Sequence, residues 1–294
     1  METGQIVGGK YRLRKKIGEG GMGSVWSAVH ETLDRTVAIK FLVASAVDPD
    51  GDTAAARFVD EAKSAARVKH RFVVDVFDFG ITELGEHYMV LELLEGEELA
   101  DCLVHGAAWE AADVVRFMAH CLTGLEAVHQ AGIIHRDLKP ENIFVMRDSD
   151  GRYPKLVDFG ISKRSDPAPR RAAANTARPG RPRQLTTHGT TIGTPWYMSP
   201  EQLRGRRDLD QRADLYSIGV ILYEWLAGRV PYPEENLAEL ALQVAAGTAP
   251  ALVTLRPELG HELSGVLAKA MAPEPEQRFA SAAELREALL ALIP

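Results

Sequence analysis

Short apolar runs separated by turn residues dominate the first third of the chain. β-Branched and aromatic residues are frequent in these runs, which is typical of short strands joined by turns. One stretch differs, because the apolar positions of Thr53–Lys69 recur at helical spacing. The pattern therefore predicts one helix among several strands, at Tyr11–Ile17, Ser24–His30, Thr36–Leu42, Val74–Gly80 and His87–Glu92.

Helical periodicity dominates from Leu99 onwards. Apolar residues between Val114 and Val128 recur every three or four positions, which predicts an amphipathic helix of about five turns. A strand-rich part followed by a larger helical part is typical of an α+β protein. Shorter periodic stretches predict further helices at Ala213–Ala227, Asn236–Ala246, His261–Ala272 and Ala282–Leu292.

Composition places the chain among globular proteins. Of its 294 residues, 46% are hydrophobic and 26% are charged, so it can bury a core without disulfides or metals. The net charge of −7 argues against a nucleic acid partner. The N-terminus lacks the features of a signal peptide, and no run reaches the ~18 apolar residues of a membrane span. We therefore expect a cytoplasmic protein in which Cys102 and Cys121 stay reduced.

The stretch 163–183 has a different composition from its surroundings. It contains seven Lys and Arg residues against one acid, Asp166, together with four prolines and few apolar residues. Such a segment cannot bury enough surface to offset the entropy of ordering, which predicts a mobile, solvated insertion. Docking of an acidic partner is the alternative interpretation.

A glycine-rich motif lies between the first two predicted strands. Glycines allow a turn to adopt positive φ angles and to approach phosphate groups closely. Dinucleotide-binding turns share this spacing but open a helix, whereas this motif has strands on both sides. By itself the motif fits an ordinary hairpin equally well. Its residues are Gly18, Glu19, Gly20, Gly21, Met22 and Gly23, with Val25 two positions on.

Lys40 ends the strand-like run that begins at Val37. A lysine held beside a glycine loop can neutralise nucleotide phosphates if an anion fixes its position. Glu61 lies 21 residues later on the predicted helix and is the preferred partner. Asp60 and Glu19 remain alternatives, and an ordinary surface lysine is the plainer interpretation of Lys40 alone.

The most specific run is His135-Arg136-Asp137-Leu138-Lys139-Pro140-Glu141-Asn142, which Asp158-Phe159-Gly160 follows 16 residues after Asn142. Phosphoryl transfer requires positioning and charge neutralisation rather than covalent chemistry. Asp137 can orient an acceptor hydroxyl and take its proton, and Lys139 can stabilise the transferring group. Asn142 and Asp158 flank two short apolar strands, so they can converge on Mg²⁺. A solvated turn would not explain all these residues in this order.

Together these motifs resemble the eukaryotic-type protein kinase family, and within it the Ser/Thr branch common in bacteria. The resemblance extends from Tyr11 to Leu292 and implies a bilobal protein kinase fold of class α+β. It also implies a single domain over 1–294. Its parts would be an N-lobe at 11–92, a hinge at 93–96, a C-lobe at 97–294 and an activation segment at 158–201.

The resemblance implies a role for each motif residue. Asp137 would be the catalytic base, assisted by Lys139 and Thr194. Asn142 and Asp158 would bind Mg²⁺, with Mn²⁺ as an alternative. The residues implied to contact ATP are Ile17, Gly18, Glu19, Gly20, Gly21, Met22, Gly23, Ser24, Val25, Ala38, Lys40 with its partner Glu61, Leu91, Glu92, Leu94, Phe144 and Asp158.

The resemblance also implies structural contacts in the C-terminal part. Glu201 would pair with Arg278, and Asp214 would be a buried carboxylate that holds the backbone at His135 and Arg136. Ser199 replaces the family's usual alanine, and because both residues are small we infer nothing from this exchange.

Activity and regulation follow from the resemblance as hypotheses. We expect a Ser/Thr protein kinase that uses ATP, acts on protein substrates and autophosphorylates at one or two of Thr186, Thr187, Thr190 and Thr191. Transient dimerisation remains open. The alternatives are a pseudokinase scaffold that binds nucleotide without turnover, and a small-molecule phosphotransferase of similar fold. The motif residues argue against the first, and Met198–Glu201 with Thr194 argue against the second.

Overall fold

The computed structural model describes residues 1–20, 23–42, 59, 62–105, 109–158, 186–187, 190–191, 195–206 and 208–293. The chain divides into two compact units. The first unit consists of Met1–His70 and Val74–Glu95, and the second of Arg71–Val73 and Gly96–Pro294. No helix within the described ranges is long and apolar enough to cross a bilayer.

The first unit is built on an antiparallel sheet with strand order β1-β2-β3-β4-β6-β5. Leu13, Ala28 and Ile39 are fully buried in the apolar cluster on one face of this sheet. Since side chains alternate along a strand, the residues next to them point to the opposite face. The strands are β1 (Ile6–Val7), β2 (Tyr11–Gly20), β3 (Gly23–His30), β4 (Arg35–Leu42), β5 (Val76–Ile81) and β6 (His87–Glu92).

The predicted strands of the first unit are confirmed, with boundaries that differ from the prediction by three residues at most. Strand β2 continues to Gly20, and β5 begins later than predicted. Arg71–Val73, shortly before β5, belong to the second unit, where the carbonyl of Phe72 accepts a hydrogen bond of 2.9 Å from the N–H of Leu156. Of the predicted helix at 53–69, residues 62–65 are helical and 66–67 form a turn, so the helix ends earlier than predicted. Most of its first part lies outside the described residues.

The second unit is mainly helical around a large apolar core. The helix Arg212–Ala227 (α4) lies at its centre, and Leu215, Ile218, Val220 and Ile221 on this helix are fully buried. The predicted helices are confirmed, although those predicted at His261–Ala272 and Ala282–Leu292 each end two residues early. The helices are α1 (Leu99–His105), α2 (Ala111–Gln130), α3 (Pro200–Leu203), α4 (Arg212–Ala227), α5 (Leu237–Ala246), α6 (Leu252–Leu255), α7 (Gly260–Ala270) and α8 (Ala282–Leu290).

Local sequence explains where two of these helices begin or end. The side chain of Asn236 accepts hydrogen bonds from the backbone N–H groups of Ala238 and Glu239, at 2.9 and 3.2 Å, and so caps the first turn of α5. Helix α4 ends at Ala227, and the next residue, Gly228, has a φ of 74°, in the left-handed region that glycine adopts without strain.

A small sheet in the second unit has the order β7-β8-β9, with strands at Glu97–Glu98, Ile143–Asp148 and Gly151–Leu156. Strands β8 and β9 form an antiparallel hairpin in which Ile143 lies opposite Leu156. Asn142, just before β8, therefore lies beside Val157, just after β9, and Asp158 is the next residue. The backbones of Thr186–Thr187 (β10) and Thr190–Thr191 (β11) also pair antiparallel.

Candidate active site

Asp214 holds the backbone at the start of the segment His135–Asn142, which we call the 135–142 loop. One carboxylate oxygen accepts a hydrogen bond from the N–H of His135 and the other from the N–H of Arg136, each at 2.8 Å. The carboxylate is only 1% exposed. This confirms the contact that the resemblance implied. The same carboxylate is 2.8 Å from Nε2 of His129 on α2, a partner that sequence reasoning missed.

His135 links the 135–142 loop to the end of β9. Its ring is completely buried, and Nε2 lies 3.0 Å from the carbonyl oxygen of Val157. Because a carbonyl can only accept, Nε2 carries the proton in this contact. Burial lowers the pKa of His135, so the ring is held in its neutral form. The imidazole therefore fixes the position of the Val157 carbonyl, directly before Asp158.

Asp137 is held through both its backbone and its side chain. Its carbonyl accepts a 2.7 Å hydrogen bond from the Asn142 amide. Its carboxylate lies 3.4 Å from Nζ of Lys139 and 3.4 Å from the same Asn142 nitrogen. The Asp137 and Lys139 side chains are each 21% exposed, so both remain accessible while they are oriented.

The donor set next to this loop suits a hard divalent cation. Asn142 is 6% exposed, and since its NH₂ group faces Asp137, its amide oxygen is the atom left for a ligand. The backbone of Asn142 bonds to Val157 at 3.0 Å, and the exposed Asp158 follows directly. Asp158 has a φ of 55°, an uncommon value for a residue with a side chain. Carboxylate and amide oxygens are the ligands that Mg²⁺ accepts.

Glu201 and Arg278 form a buried, two-pronged ion pair. Their oxygen and nitrogen atoms are 2.7 and 2.8 Å apart, and the two side chains are 7% and 0% exposed. Arg278 also donates to the carbonyls of Ala272, Arg212 and Pro273. The implied pairing is confirmed, and it anchors helix α3 to the loop before α8.

Two polar residues of this region were missed from the sequence. Gln202 donates to the carbonyl of Arg136 at 2.8 Å, and its side-chain oxygen accepts from Ser199. A serine followed three residues later by glutamine at a helix start is a recognised capping pattern that could have revealed it. Glu224 accepts a 2.7 Å hydrogen bond from the hydroxyl of Tyr197, and burial raises its pKa to about 6.

The glycine-rich motif lies in the β2–β3 hairpin of the first unit. Gly18 lies opposite Val25, Glu19 opposite Ser24, and Gly20 opposite Gly23. Glu19 forms a 2.7 Å ion pair with Lys16, so the structure gives this acid a partner other than Lys40. Ile17 lies at a bulge beside the motif and is 45% exposed. Gly21 and Met22 lie outside the described residues.

Other predicted nucleotide contacts share one face of the first sheet. Val25 lies opposite Lys40 across β3 and β4, and Ala38 lies opposite Leu91 across β4 and β6. With the two-residue period of a strand, these four side chains lie on the face opposite the apolar cluster. The N–H of Glu92 donates to Asp75 at 2.9 Å.

The remaining predicted residues differ in how far the structure describes them. Leu94 follows β6 and is half-buried, and Phe144 lies on β8 opposite Lys155. Glu61, Thr194 and the insertion 163–183 lie outside the described residues, and so does most of the segment 158–201. Cys102 and Cys121 are both buried and free, as expected.

Comparisons with known proteins extend over almost the whole chain. A profile of the protein kinase domain matches residues 11–289. Serine/threonine-protein kinase pkn3 of Myxococcus xanthus is 36% identical over 293 residues, which is 99% of this chain and 51% of that protein. The probable serine/threonine-protein kinase PknB of Lactococcus lactis is 33% identical over 97% of this chain and 42% of its own length.

Solved structures agree on the fold. The kinase domain of Mycobacterium tuberculosis PknI matches with a TM-score of 0.74 at 24% identity, covering 99% of both chains. The present chain spans about half, or less, of the curated relatives named above. The profile match and these identities together show the family: the chain belongs to the protein kinases, as a Ser/Thr protein kinase domain of the bacterial type.

Proposed function

We propose that this domain transfers the γ-phosphoryl group of ATP to serine and threonine hydroxyls of protein substrates, with Asp137 as the base. The fixation of Asp137 carries this proposal. Its carbonyl is bonded to Asn142, and its carboxylate is 3.4 Å from the ammonium group of Lys139. Since phosphoryl transfer depends on positioning and charge neutralisation, an oriented carboxylate beside an accessible cation suits an acceptor hydroxyl and the transferring group.

Asn142 and Asp158 are the proposed ligands of a divalent cation, Mg²⁺ or Mn²⁺. When bound, such an ion neutralises charge on the phosphate oxygens. The orientation of Asn142 supports this role, because its NH₂ group is engaged by Asp137 and its amide oxygen is left for the ion. The hydrogen bond between Val157 and Asn142 holds the backbones of the two ligands next to each other.

The proposed ATP contacts in the first unit are the Gly18–Gly23 hairpin, Lys40 and the apolar residues around it. The shared sheet face of Val25, Ala38, Lys40 and Leu91 supports this assignment. The N–H of Glu92 is already bonded to Asp75, so we expect Glu92 to contact adenine through its carbonyl. The roles of Glu61 and Thr194 stay predictions from the resemblance.

The test is transfer from labelled ATP to a generic basic protein in the presence of Mg²⁺. Asp137→Asn should reduce the turnover by at least about a hundredfold while nucleotide binding persists. Asp113→Asn makes the same chemical change at an exposed position on α2 and should keep parental turnover. Full turnover by Asp137→Asn would refute the proposed base. Nucleotide binding without any transfer by the parent chain would favour the pseudokinase alternative.

We further propose autophosphorylation within Thr186, Thr187, Thr190 and Thr191, with a transient dimer as the species in which one copy modifies another. Phosphate on such a threonine can accept charge-assisted hydrogen bonds from arginine, and Arg136 adjoins the base. Replacement of all four threonines by alanine should lower the turnover on an exogenous protein. Unchanged turnover would contradict the proposed autophosphorylation.

The dimer is tested by the concentration dependence of autophosphorylation. An initial rate of autophosphorylation per enzyme molecule that rises with enzyme concentration would support the dimer, and a constant rate would exclude it.

A further inference from the structure

Gln202 connects the first turn of α3 to the 135–142 loop. Its amide nitrogen donates a 2.8 Å hydrogen bond to the carbonyl oxygen of Arg136, the residue directly before Asp137. Its side-chain oxygen lies 3.0 Å from the backbone nitrogen of Ser199 and 3.1 Å from the Ser199 hydroxyl. The two connected segments lie 66 residues apart in the chain.

The chemistry of the neighbours fixes which way the Gln202 amide faces. A backbone N–H can only donate, so the atom next to Ser199 N must be the amide oxygen. A carbonyl can only accept, so the NH₂ group must face Arg136. Ser199 is completely buried, and its hydroxyl is a second neighbour of the same oxygen. The serine that replaces the family's usual alanine therefore contributes a contact that alanine cannot make.

Arg136 has an uncommon backbone conformation, with a φ of 65°. This left-handed conformation is sterically unfavourable for a residue with a side chain, so the surrounding contacts must hold Arg136 in it. Asp214 holds the peptide group before Arg136 through its N–H. Gln202 holds the peptide group after Arg136 through its carbonyl, and that peptide group leads directly into Asp137.

Gln202 projects from a firmly anchored element. The preceding residue, Glu201, forms the buried ion pair with Arg278 at 2.7 and 2.8 Å. A little earlier, the carbonyl of Tyr197 accepts a 2.7 Å hydrogen bond from the hydroxyl of Ser217 on α4. The position of the Gln202 amide is therefore set by the same helix, α4, that carries Asp214.

We propose that Gln202, oriented by Ser199, is a positioning residue for Asp137. This inference rests on the proposed role of Asp137 as the base. Asp214 and Gln202 fix the two peptide groups of Arg136 from opposite ends. Loss of the Gln202 contact removes one restraint on the peptide group between Arg136 and Asp137, and a shift of this peptide group displaces the carboxylate from the acceptor hydroxyl. The two hydrogen bonds to Asp214 do not replace this restraint, since they come from the N–H groups of His135 and Arg136, which precede that peptide group.

The first test replaces Gln202 by methionine, which has a similar shape but cannot make any of these three hydrogen bonds. Because a displacement of about 1 Å can reduce a rate a hundredfold, kcat for transfer from ATP to a generic basic protein should fall by about 10- to 100-fold. The KM values for ATP and for the protein should stay within about twofold, since substrate binding is unchanged. Gln211→Met is the matched control. It removes a 2.7 Å hydrogen bond from a glutamine to the carbonyl of Ala280, and it should keep the parental kcat.

The second test, Gln202→Glu, has a readout that a loss of folding does not imitate. A carboxylate still accepts from Ser199 but places a second oxygen against the Arg136 carbonyl, which repels it. Protonation turns that oxygen into a donor and restores the contact. The kcat of Gln202→Glu relative to the parent should therefore rise by about threefold or more as the pH falls from 8 to 6.

Three outcomes would overturn the inference. They are a parental kcat for Gln202→Met, a rise in the KM for protein with kcat unchanged, and a kcat ratio for Gln202→Glu that does not change with pH. The second would mean that Gln202 contacts the substrate instead of positioning Asp137. If Gln202→Met does not fold, the pH profile of Gln202→Glu decides. Full turnover by Asp137→Asn would instead overturn the proposed function, so the two failures are distinguishable.

Discussion

Glu224 should make the domain less stable as the pH rises through the weakly acidic range. This carboxyl group lies on α4, and burial is the main cause that raises its pKa from 4.5 to about 6, with a smaller contribution from the charge of Glu141. A hydrogen bond from Tyr197 lowers the pKa but does not compensate for burial. The folded state therefore binds the proton more tightly than the unfolded state does. Stability is lost as the pH rises from about 4.5 to about 6.

Replacement of Glu224 by glutamine removes this penalty and keeps an oxygen that can accept from Tyr197. Each pKa unit corresponds to about 1.4 kcal/mol, so the full penalty is about 2 kcal/mol. The linkage relation gives a destabilisation of the folded parent by Glu224 of about 0.8 kcal/mol at pH 5 and about 2 kcal/mol at pH 7.5. The destabilisation therefore increases by about 1.2 kcal/mol between these two pH values. For a chain of this size that increase corresponds to about 2–4 °C in the melting temperature.

The assay is thermal unfolding of the parent and of Glu224→Gln at intervals between pH 5 and pH 8. A constant difference between the two proteins would reflect repacking alone, so the informative quantity is the change of that difference with pH. The variant should gain about 2–4 °C on the parent between pH 5 and pH 7.5. Glu235→Gln, an exposed change of the same kind, should show no such gain. A melting difference for Glu224→Gln that stays constant across this range would refute the reasoning.

Three further predictions concern the framework of the second unit. Glu201→Gln leaves the buried charge of Arg278 without its counter-ion, so we expect a loss of about 3–5 kcal/mol in thermal or denaturant unfolding. Gly219→Ala places a methyl group about 2.9 Å from Met271 and should lower the free energy of unfolding by about 1–2 kcal/mol. Gly265→Ala, at a helical position with no atom within 4 Å of the added methyl group, should raise the free energy of unfolding by about 0.5–1 kcal/mol in the same unfolding experiment. Asp214→Asn puts an amide donor against a backbone N–H and should lower kcat at least tenfold, with the KM for ATP unchanged.

The sequence predicted well wherever neighbouring residues decide the outcome. Strand and helix positions follow from the spacing of apolar residues, and those positions are confirmed to within a few residues. The predicted helix ends at Ala227 and Ala246 are correct, because a glycine follows each of them. The β8–β9 hairpin was also predictable, since two short apolar strands with a tight turn between them pair with each other.

Long-range partners were predictable only through the family resemblance. Nothing in the spacing of residues shows that Glu201 meets Arg278, which lies 77 residues later, or that Asp214 reaches back to His135. A polar residue on a helix has the same local pattern whether it is paired or solvated. The resemblance supplied these pairs because they recur in the family.

The sequence by itself determined the elements, the family and the short run from His135 to Asn142, since peptide bonds keep those side chains together. Only the tertiary structure decided that Gln202 faces the carbonyl of Arg136 and that Glu224 is buried enough for its pKa to reach about 6. Both properties depend on segments that are distant in the chain and meet only after packing. Hydrogen-bond partners and desolvation are sums over all those neighbours, and a local pattern of residues contains only a few of them.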